Sequence, residues 1–485
     1  MASTDDITLS NNYHYELQQS ASMKSNSNVG GDGDIQPSIL EDRGSTSSWK
    51  LMVIVASAFT VVFTCCGLNF AFGVYQALYD SLSRKAGTPF EGASPAEIDL
   101  IGTLSISLMT IGAPFVVAWA KILSPRIVCF AGGVVFGLAL ILASFGTKLW
   151  HFELTQGLLL GVGTSMAYMV AVTVTPSWFT SRRGLAMGVI LAGTGVGGVV
   201  WAPVLSLCIN KIGYRNTLRL TGALSFALIA VGSGAMMWEP RTLARIQVEN
   251  AARTHRTLAL LKVPLVEMRV AKSRKFVAQA LSALLQSAAY YTPVFFFAAY
   301  ARTLGYSDTA GANFIAISNA CNALGKVAIG YAADKAGRLN ALVLTTLLSA
   351  VATLCFWLPS TLLGDTSNSS SQGLFITFAI LYGLFASAYV SLFPTSLVEL
   401  FGVQNFASVN GVLYMVRGFA TMVGTPIGGV LIRGSGKNRL GGPGMYESMS
   451  VLVSVLLFAA TGAALWARME VMVQPDGSIM KKWKL

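Results

Sequence analysis

The chain has 485 residues, of which 53% are hydrophobic and 12% charged, with a formal net charge of +12. A soluble domain carries roughly 25% charged residues, and half that share could not clothe a water-soluble protein of this size. The composition excludes a disordered chain, a coiled coil and a disulfide scaffold, and points to a polytopic membrane protein. The basic excess fits loops on the cytoplasmic side of a bilayer, so nucleic acid is set aside as a partner.

In chain order, residues 1–48 come first. They are polar, rich in Ser, Asn and Gly, and hold seven acids against two bases. No basic start leads into an apolar core, so this segment reads as a disordered cytoplasmic tail rather than a signal peptide. A membrane span needs about 20 apolar residues. Twelve such runs follow. The first six are Leu51–Leu78, Ile98–Ala120, Ile127–Phe145, Phe152–Trp178, Leu185–Cys208 and Leu220–Trp238. The last six are Phe276–Tyr300, Ala310–Ala332, Asn340–Leu358, Gly373–Leu397, Ser408–Ile432 and Ser448–Ala467. The runs are continuous rather than alternating, which excludes a membrane barrel. The expected fold class is therefore all-α, with twelve transmembrane helices.

Residues 239–275 separate the two sets of spans and hold nine Lys/Arg against three acids. The expected organisation is a tail (1–48), a six-helix bundle (49–238), a basic cytoplasmic loop (239–275), a second six-helix bundle (276–468) and a short cytoplasmic tail (469–485). The two tails and the even-numbered connections hold 22 Lys/Arg, and the odd-numbered connections hold ten. The larger count marks the cytoplasm and places both termini inside. The long central loop follows that rule weakly. Asn368, in the only Asn-x-Ser/Thr sequon, falls between spans 9 and 10. That side is external in this topology, and Asn368 is a glycosylation candidate. The six cysteines all lie in apolar stretches with no CxxC pair, and read as reduced, small apolar residues.

Six plus six spans suggest two structural repeats about a central site. The connection after span 8 runs from Gly330 to Arg338 and contains Asp334 and Gly337. The matching connection after span 2 runs from Ala120 to Arg126. Both resemble the loop signature of the major facilitator superfamily, although the first copy has Lys121 in place of the family's acid and Ser124 in place of its Gly. Trp178 to Gly188, with Arg182 and Arg183, resembles a motif of the monocarboxylate porter family. Phe72 to Gln76, Tyr414 to Gly418 and Gly424 to Gly429 resemble its fungal members. The family's acid-Gly-Gly-aromatic entry motif is degraded to Asp42-Arg43-Gly44-Ser45. The resemblance covers most of Trp49 to Arg468. It implies the major facilitator fold and transport of small carboxylates or, in fungal members, more varied metabolites including natural products. It also implies latch or gating roles for Asp334, Arg338, Lys326, Arg182 and Arg183, with the second-half latch the more important.

Arg417 stands about 14 Å into span 11 by helical rise, where a charge is costly. It is a candidate substrate or gating residue. The alternative is an Arg satisfied by backbone carbonyls and polar neighbours. Lys326 lies shallower and can snorkel. Asn319, Asn322 and Lys326 share one face of span 8. Gln286 and Tyr290 in span 7, Tyr168 in span 4 and Tyr389 in span 10 complete a candidate polar and aromatic cavity, with helix–helix hydrogen bonding as the plainer role for each. Glycines recur in spans 5 and 11, where they serve close packing or allow the helices to rock.

No Asp or Glu lies deep in any span, which leaves proton coupling open to a boundary acid. There is no P-loop, no metal cluster and no nucleophile–base pair, so neither an enzyme nor a cofactor is expected. The expected function is secondary transport of a small organic anion or related metabolite across the lipid bilayer by alternating access. The alternative is a non-transporting sensor with a transporter fold, which the short C-terminal tail disfavours. The plasma membrane is the default location, with the vacuolar membrane as the alternative.

Overall fold

The computed structural model describes residues 47–180, 182–251, 266–363, 369–434 and 442–472. These residues form helices joined by turns, with no strand among them. Each expected span coincides with a helix or with one limb of a bent helix. We number them α1 (Ser48–Ser83), α2 (Pro95–Ile111 with Ala113–Ile122), α3 (Pro125–Ala143), α4 (Leu149–Trp178), α5 (Arg183–Ile212) and α6 (Tyr214–Ser233). Then follow α7 (Arg274–Thr303), α8 (Asp308–Ala336), α9 (Arg338–Leu362), α10 (369–401), α11 (403–434) and α12 (Glu447–Met472). The continuous helical run Ser369–Gly434 is divided by Gly402, whose φ of 72° breaks the ladder.

Among the described residues, seven helical runs are long and apolar enough to cross a membrane, with α10 and α11 counted as one continuous run, or eight with the bent α2 counted. The helices that fall short are α6, α7 and α8, which carry polar side chains such as Arg215, Gln286 and Asn322. Large apolar side chains such as Ile127, Phe130, Leu138 and Leu142 of α3 are exposed on the outside, while many Ser, Thr, Asn and Gln are buried. That distribution suits a lipid solvent.

Several ends differ from expectation. Helix α6 starts at Tyr214, not Leu220, because Gly213 (φ 79°) turns the chain sharply. Arg215 and Arg219 are then helical and bind back to the Gly146 carbonyl (3.2 Å) and the Ser144 hydroxyl (3.0 Å). Helix α11 begins just after Gly402, not at Ser408, and Arg417 lies close to its midpoint. Helix α2 bends by 46° at Gly112, where Pro114 removes a ladder hydrogen bond.

Close packing between the first six helices and the last six joins α5 to α8 and α2 to α11. A Cβ on Gly184 would come within 2.5 Å of the Gly330 carbonyl. One on Gly418 would strike Ile111 and Thr110 of α2 at 2.5–2.6 Å. The glycines of α5 thus let its backbone meet that of α8, and Gly418 of α11 makes room for the side chains of Ile111 and Thr110 of α2. Glycine recurrence alone showed neither which partners they face nor how close the approach is.

Candidate substrate-binding site

Arg417 is 4% exposed and sits among aromatic rings. Its guanidinium carbon is 4.8 Å from the Phe393 ring centre, 5.1 Å from Tyr414 and 5.6 Å from Tyr389. Its Nε donates to the Ser287 hydroxyl at 2.8 Å, and Nη1 has no hydrogen-bond partner. Of the expected alternative, backbone carbonyls and polar neighbours, the fold supplies one polar neighbour, Ser287. Ring faces and one hydroxyl surround it, because α7, α10 and α11 bring Ser287, Tyr389 and Phe393 to one spot. Ring faces stabilise a cation by about 0.5–2 kcal/mol each and leave its outward donors open.

Lys326 is 1% exposed, so it does not snorkel. Its Nζ donates to the Leu191 carbonyl (3.1 Å) and to the Thr194 hydroxyl, both on α5. The α5–α8 contact leaves no path to an end of the bundle. Asn319 packs beside Gly195 and Gly198 of α5. Asn322 donates to the Tyr290 hydroxyl at 3.2 Å, and its Oδ1 accepts nothing. Tyr389 shares a 3.2 Å hydrogen bond with Ser282. Tyr168 of α4 places its ring 6.1 Å from that of Tyr414. The structure thus brings Arg417, Tyr389 and Tyr168 into one aromatic cluster, with Tyr414 as the link. Asn322 and Tyr290 form a neighbouring pair, and Lys326 and Asn319 line the α5–α8 seam.

Gln286 is buried with both amide atoms unpartnered, and so is Gln279. An unmade hydrogen bond on a buried group costs about 1–3 kcal/mol. Both lie on α7, the helix whose Ser287 holds Arg417, with Gln286 next to Ser287 in the chain and Gln279 two turns before it, and buried polar atoms without partners call for an explanation.

Among the described residues no carboxylate pairs with Lys326 or Arg417. The acids gather at the ends. Asp334 accepts the backbone N–H groups of Gly184 and Leu185, at 2.8 Å each, at the N-terminus of α5. A carboxylate there meets two open donors and the positive end of the helix dipole. Arg338 donates to Asp334 (2.9 Å), Glu399 (3.0 Å) and the Thr180 carbonyl (3.2 Å). Arg183 is buried and donates to the Pro176 carbonyl at 2.9 Å, whereas Arg182 is exposed. Of the expected latch residues, Asp334, Arg338 and Arg183 share one end of the bundle, and Lys326 lies deeper. Asn368 lies outside the described residues.

The sequence reading did not single out Gln279, Ser287, Phe393 or Thr194. Gln279 precedes Gln286 by seven residues and Phe393 follows Tyr389 by four, so helical spacing could have found both. Thr194 is a contact across two helices far apart in sequence and leaves no local signal. The same holds for Glu249, which approaches Lys121 to 3.9 Å.

Comparisons with known proteins agree with this architecture. A family model of the Major Facilitator Superfamily matches residues 51–364 and 281–479. An MFS-type transporter of Gibberella moniliformis is 26% identical over 426 residues, covering 88% of this chain and 91% of that protein. An agnestins efflux protein of Paecilomyces divaricatus is 26% identical over 386 residues, covering 79% and 81%. A human organic anion transporter superposes with a TM-score of 0.57 at 15% identity, covering 84% of this chain and 99% of that one, a likeness of fold. With the family match running through almost every helix and the relatives aligned nearly end to end, the chain belongs to the Major Facilitator Superfamily and is a multi-pass membrane transporter of small molecules.

Proposed function

We propose that this protein is a secondary transporter of a small organic anion, related to the monocarboxylate porters, with a fungal natural product among its candidate cargoes. Two six-helix halves, 49–238 and 276–468, would rock about a site at Arg417. The observation that carries this reading is the pair of buried cations, Lys326 and Arg417, with no carboxylate partner among the described residues. A charge held so deep without an opposite charge is expensive. An anionic cargo that pairs with Arg417 during the cycle gives it a use, and the planar guanidinium suits a carboxylate. The relative that effluxes agnestins supports a metabolite cargo and an outward direction.

The distribution of basic residues supports both termini in the cytoplasm, and the plasma membrane is the default location, with the vacuolar membrane as the alternative. A proton-coupled cycle would need a group that changes exposure. Asp99, held by the Gln76 amide, and Lys326 are span residues with that chemistry. Dependence of uptake on an imposed pH gradient tests it.

Metabolite profiling inside and outside cells, with and without the protein, tests the reading as a whole. An acid should accumulate inside when the protein is missing and outside when it is present. Accumulation of neutral or cationic compounds alone would refute the anion assignment. A signalling change with no redistribution of any metabolite would favour a sensor.

A further inference from the structure

The unpartnered polar atoms around Arg417 carry information about the size and chemistry of the cargo. Gln279 and Gln286 lie on one helix, seven residues apart. At 1.5 Å per residue and 3.6 residues per turn, they stand about 10.5 Å apart along α7 and within about 20° of the same face. Both are fully buried, at 0% and 1% exposure, and all four of their amide N and O atoms lack partners. That face is bracketed by Ser282, which meets Tyr389 of α10, and by Tyr290, which meets Asn322 of α8. Ser287, next to Gln286 in the chain, is the residue that holds Arg417. The open atoms are of both kinds. The amide N–H groups and Arg417 Nη1 need acceptors, while the two amide carbonyls and Asn322 Oδ1 need donors.

A three-carbon acid fills few of these positions. It can place a carboxylate on Arg417, but its length is roughly half the spacing of the two glutamines. A cargo that satisfies the stripe carries hydroxyls as well as carbonyl or carboxylate oxygens, distributed over about 10 Å. Aromatic rings stand at the Arg417 end of the stripe. Phe393, Tyr389 and Tyr414 surround the guanidinium, and Tyr168 reaches Tyr414 from α4. Ring faces accept a planar partner by offset or edge contact.

We propose that the cargo class is a hydroxylated aromatic acid at least two rings long. Its carboxylate pairs with Arg417, and its ring oxygens pair with Gln279, Gln286 and Asn322. This rests on the reading of Arg417 as the anion's partner.

The test is calorimetric binding to the purified full-length protein. The probes are lactate, glucuronate, benzoate and 6-hydroxy-2-naphthoate, whose hydroxyl stands at the end of the second ring away from the carboxylate. Hydroxynaphthoate should bind at least about tenfold more tightly than each of the other three. The double variant Gln279→Leu/Gln286→Leu should lose that preference while its thermal midpoint stays level or rises, since it removes unpaired amides from a dry interior. Arg417→Gln should weaken every acid. Lactate or glucuronate binding as well as hydroxynaphthoate would overturn the aromatic class and leave the anion reading intact. So would a double variant that keeps the full preference. Hydroxynaphthoate binding unchanged in Arg417→Gln, or no acid bound by wild type, would remove the anion reading itself. Should the double variant fail to fold, the wild-type ranking of the four probes decides alone.

Discussion

Two helix ends occupy matching places in the two sets of six helices, and they carry opposite charges. In the last turn of α8, Asp334 accepts two backbone N–H groups at the start of α5 and is held by Arg338. In the last turn of α2, Lys121 lies against Ser408, near the start of α11, at 3.4 Å. The first arrangement puts an anion at the positive end of a helix dipole. The second puts a cation there, which the dipole disfavours. The helix Pro240–Ala251 of the central loop compensates. Its Glu249 comes to 3.9 Å from the Lys121 ammonium, and Asn250 donates to the Lys121 carbonyl at 2.9 Å. Glu249 is 47% exposed, so solvent screens that pair, whereas Asp334 and Arg338 are 8% and 10% exposed. Related positions thus need not carry equal shares of gating energy. On the proposed transport cycle, the α5–α8 seam would be the strong closure and the α2–α11 seam the weak one.

The largest test of that asymmetry is Asp334→Ala. It removes a charge-assisted cap of two N–H groups, worth about 1.5–3 kcal/mol, or roughly tenfold or more in the population closed at that end. Transport by protein normally present at the membrane should fall about tenfold, and an unchanged rate would show that the seam does no gating. Next comes Lys121→Asp, which places an acid at the start of α11. This variant should strengthen the weak closure and slow transport about threefold, consistent with a dipole effect below about 1 kcal/mol; a faster cycle would reverse the assignment. Glu249→Gln should change the rate by no more than about twofold, as for an exposed pair. A tenfold loss there would make the central-loop helix an essential strap. Smallest of all, Asn368→Gln should leave the rate alone and remove any attached glycan, while a reporter fused after Leu485 should read cytoplasm. An externally accessible C-terminal tag would turn both seams to the other side of the membrane.

The helix order could be read from the sequence because a span is a local property: some twenty apolar residues announce themselves. Its ends could not, because they depend on single backbone choices such as the positive φ at Gly213 and Gly402. The candidate site followed the same division. Arg417, Gln286 and Tyr389 were visible as polar or aromatic residues where lipid should be. The ring cage of Arg417 was not, since Phe393 and Ser287 look like ordinary helix residues until α7, α10 and α11 are packed together. Lys326 shows the limit most sharply. By depth along its own helix it could snorkel, yet α5 lies across it and takes its ammonium into the seam.

The central claim is that a buried guanidinium awaits an anion. Its most direct test is calorimetric binding of the acid found by metabolite profiling to purified wild type, Arg417→Lys and Arg417→Ala, each with its thermal midpoint recorded. The account predicts that both variants stay folded, that Arg417→Lys binds at least about tenfold more weakly, and that Arg417→Ala shows no measurable binding, since a charge-assisted pair is worth about 1.5–3 kcal/mol. Wild-type affinity in folded Arg417→Ala would contradict it, and would leave the ring cage as the whole reason for the residue.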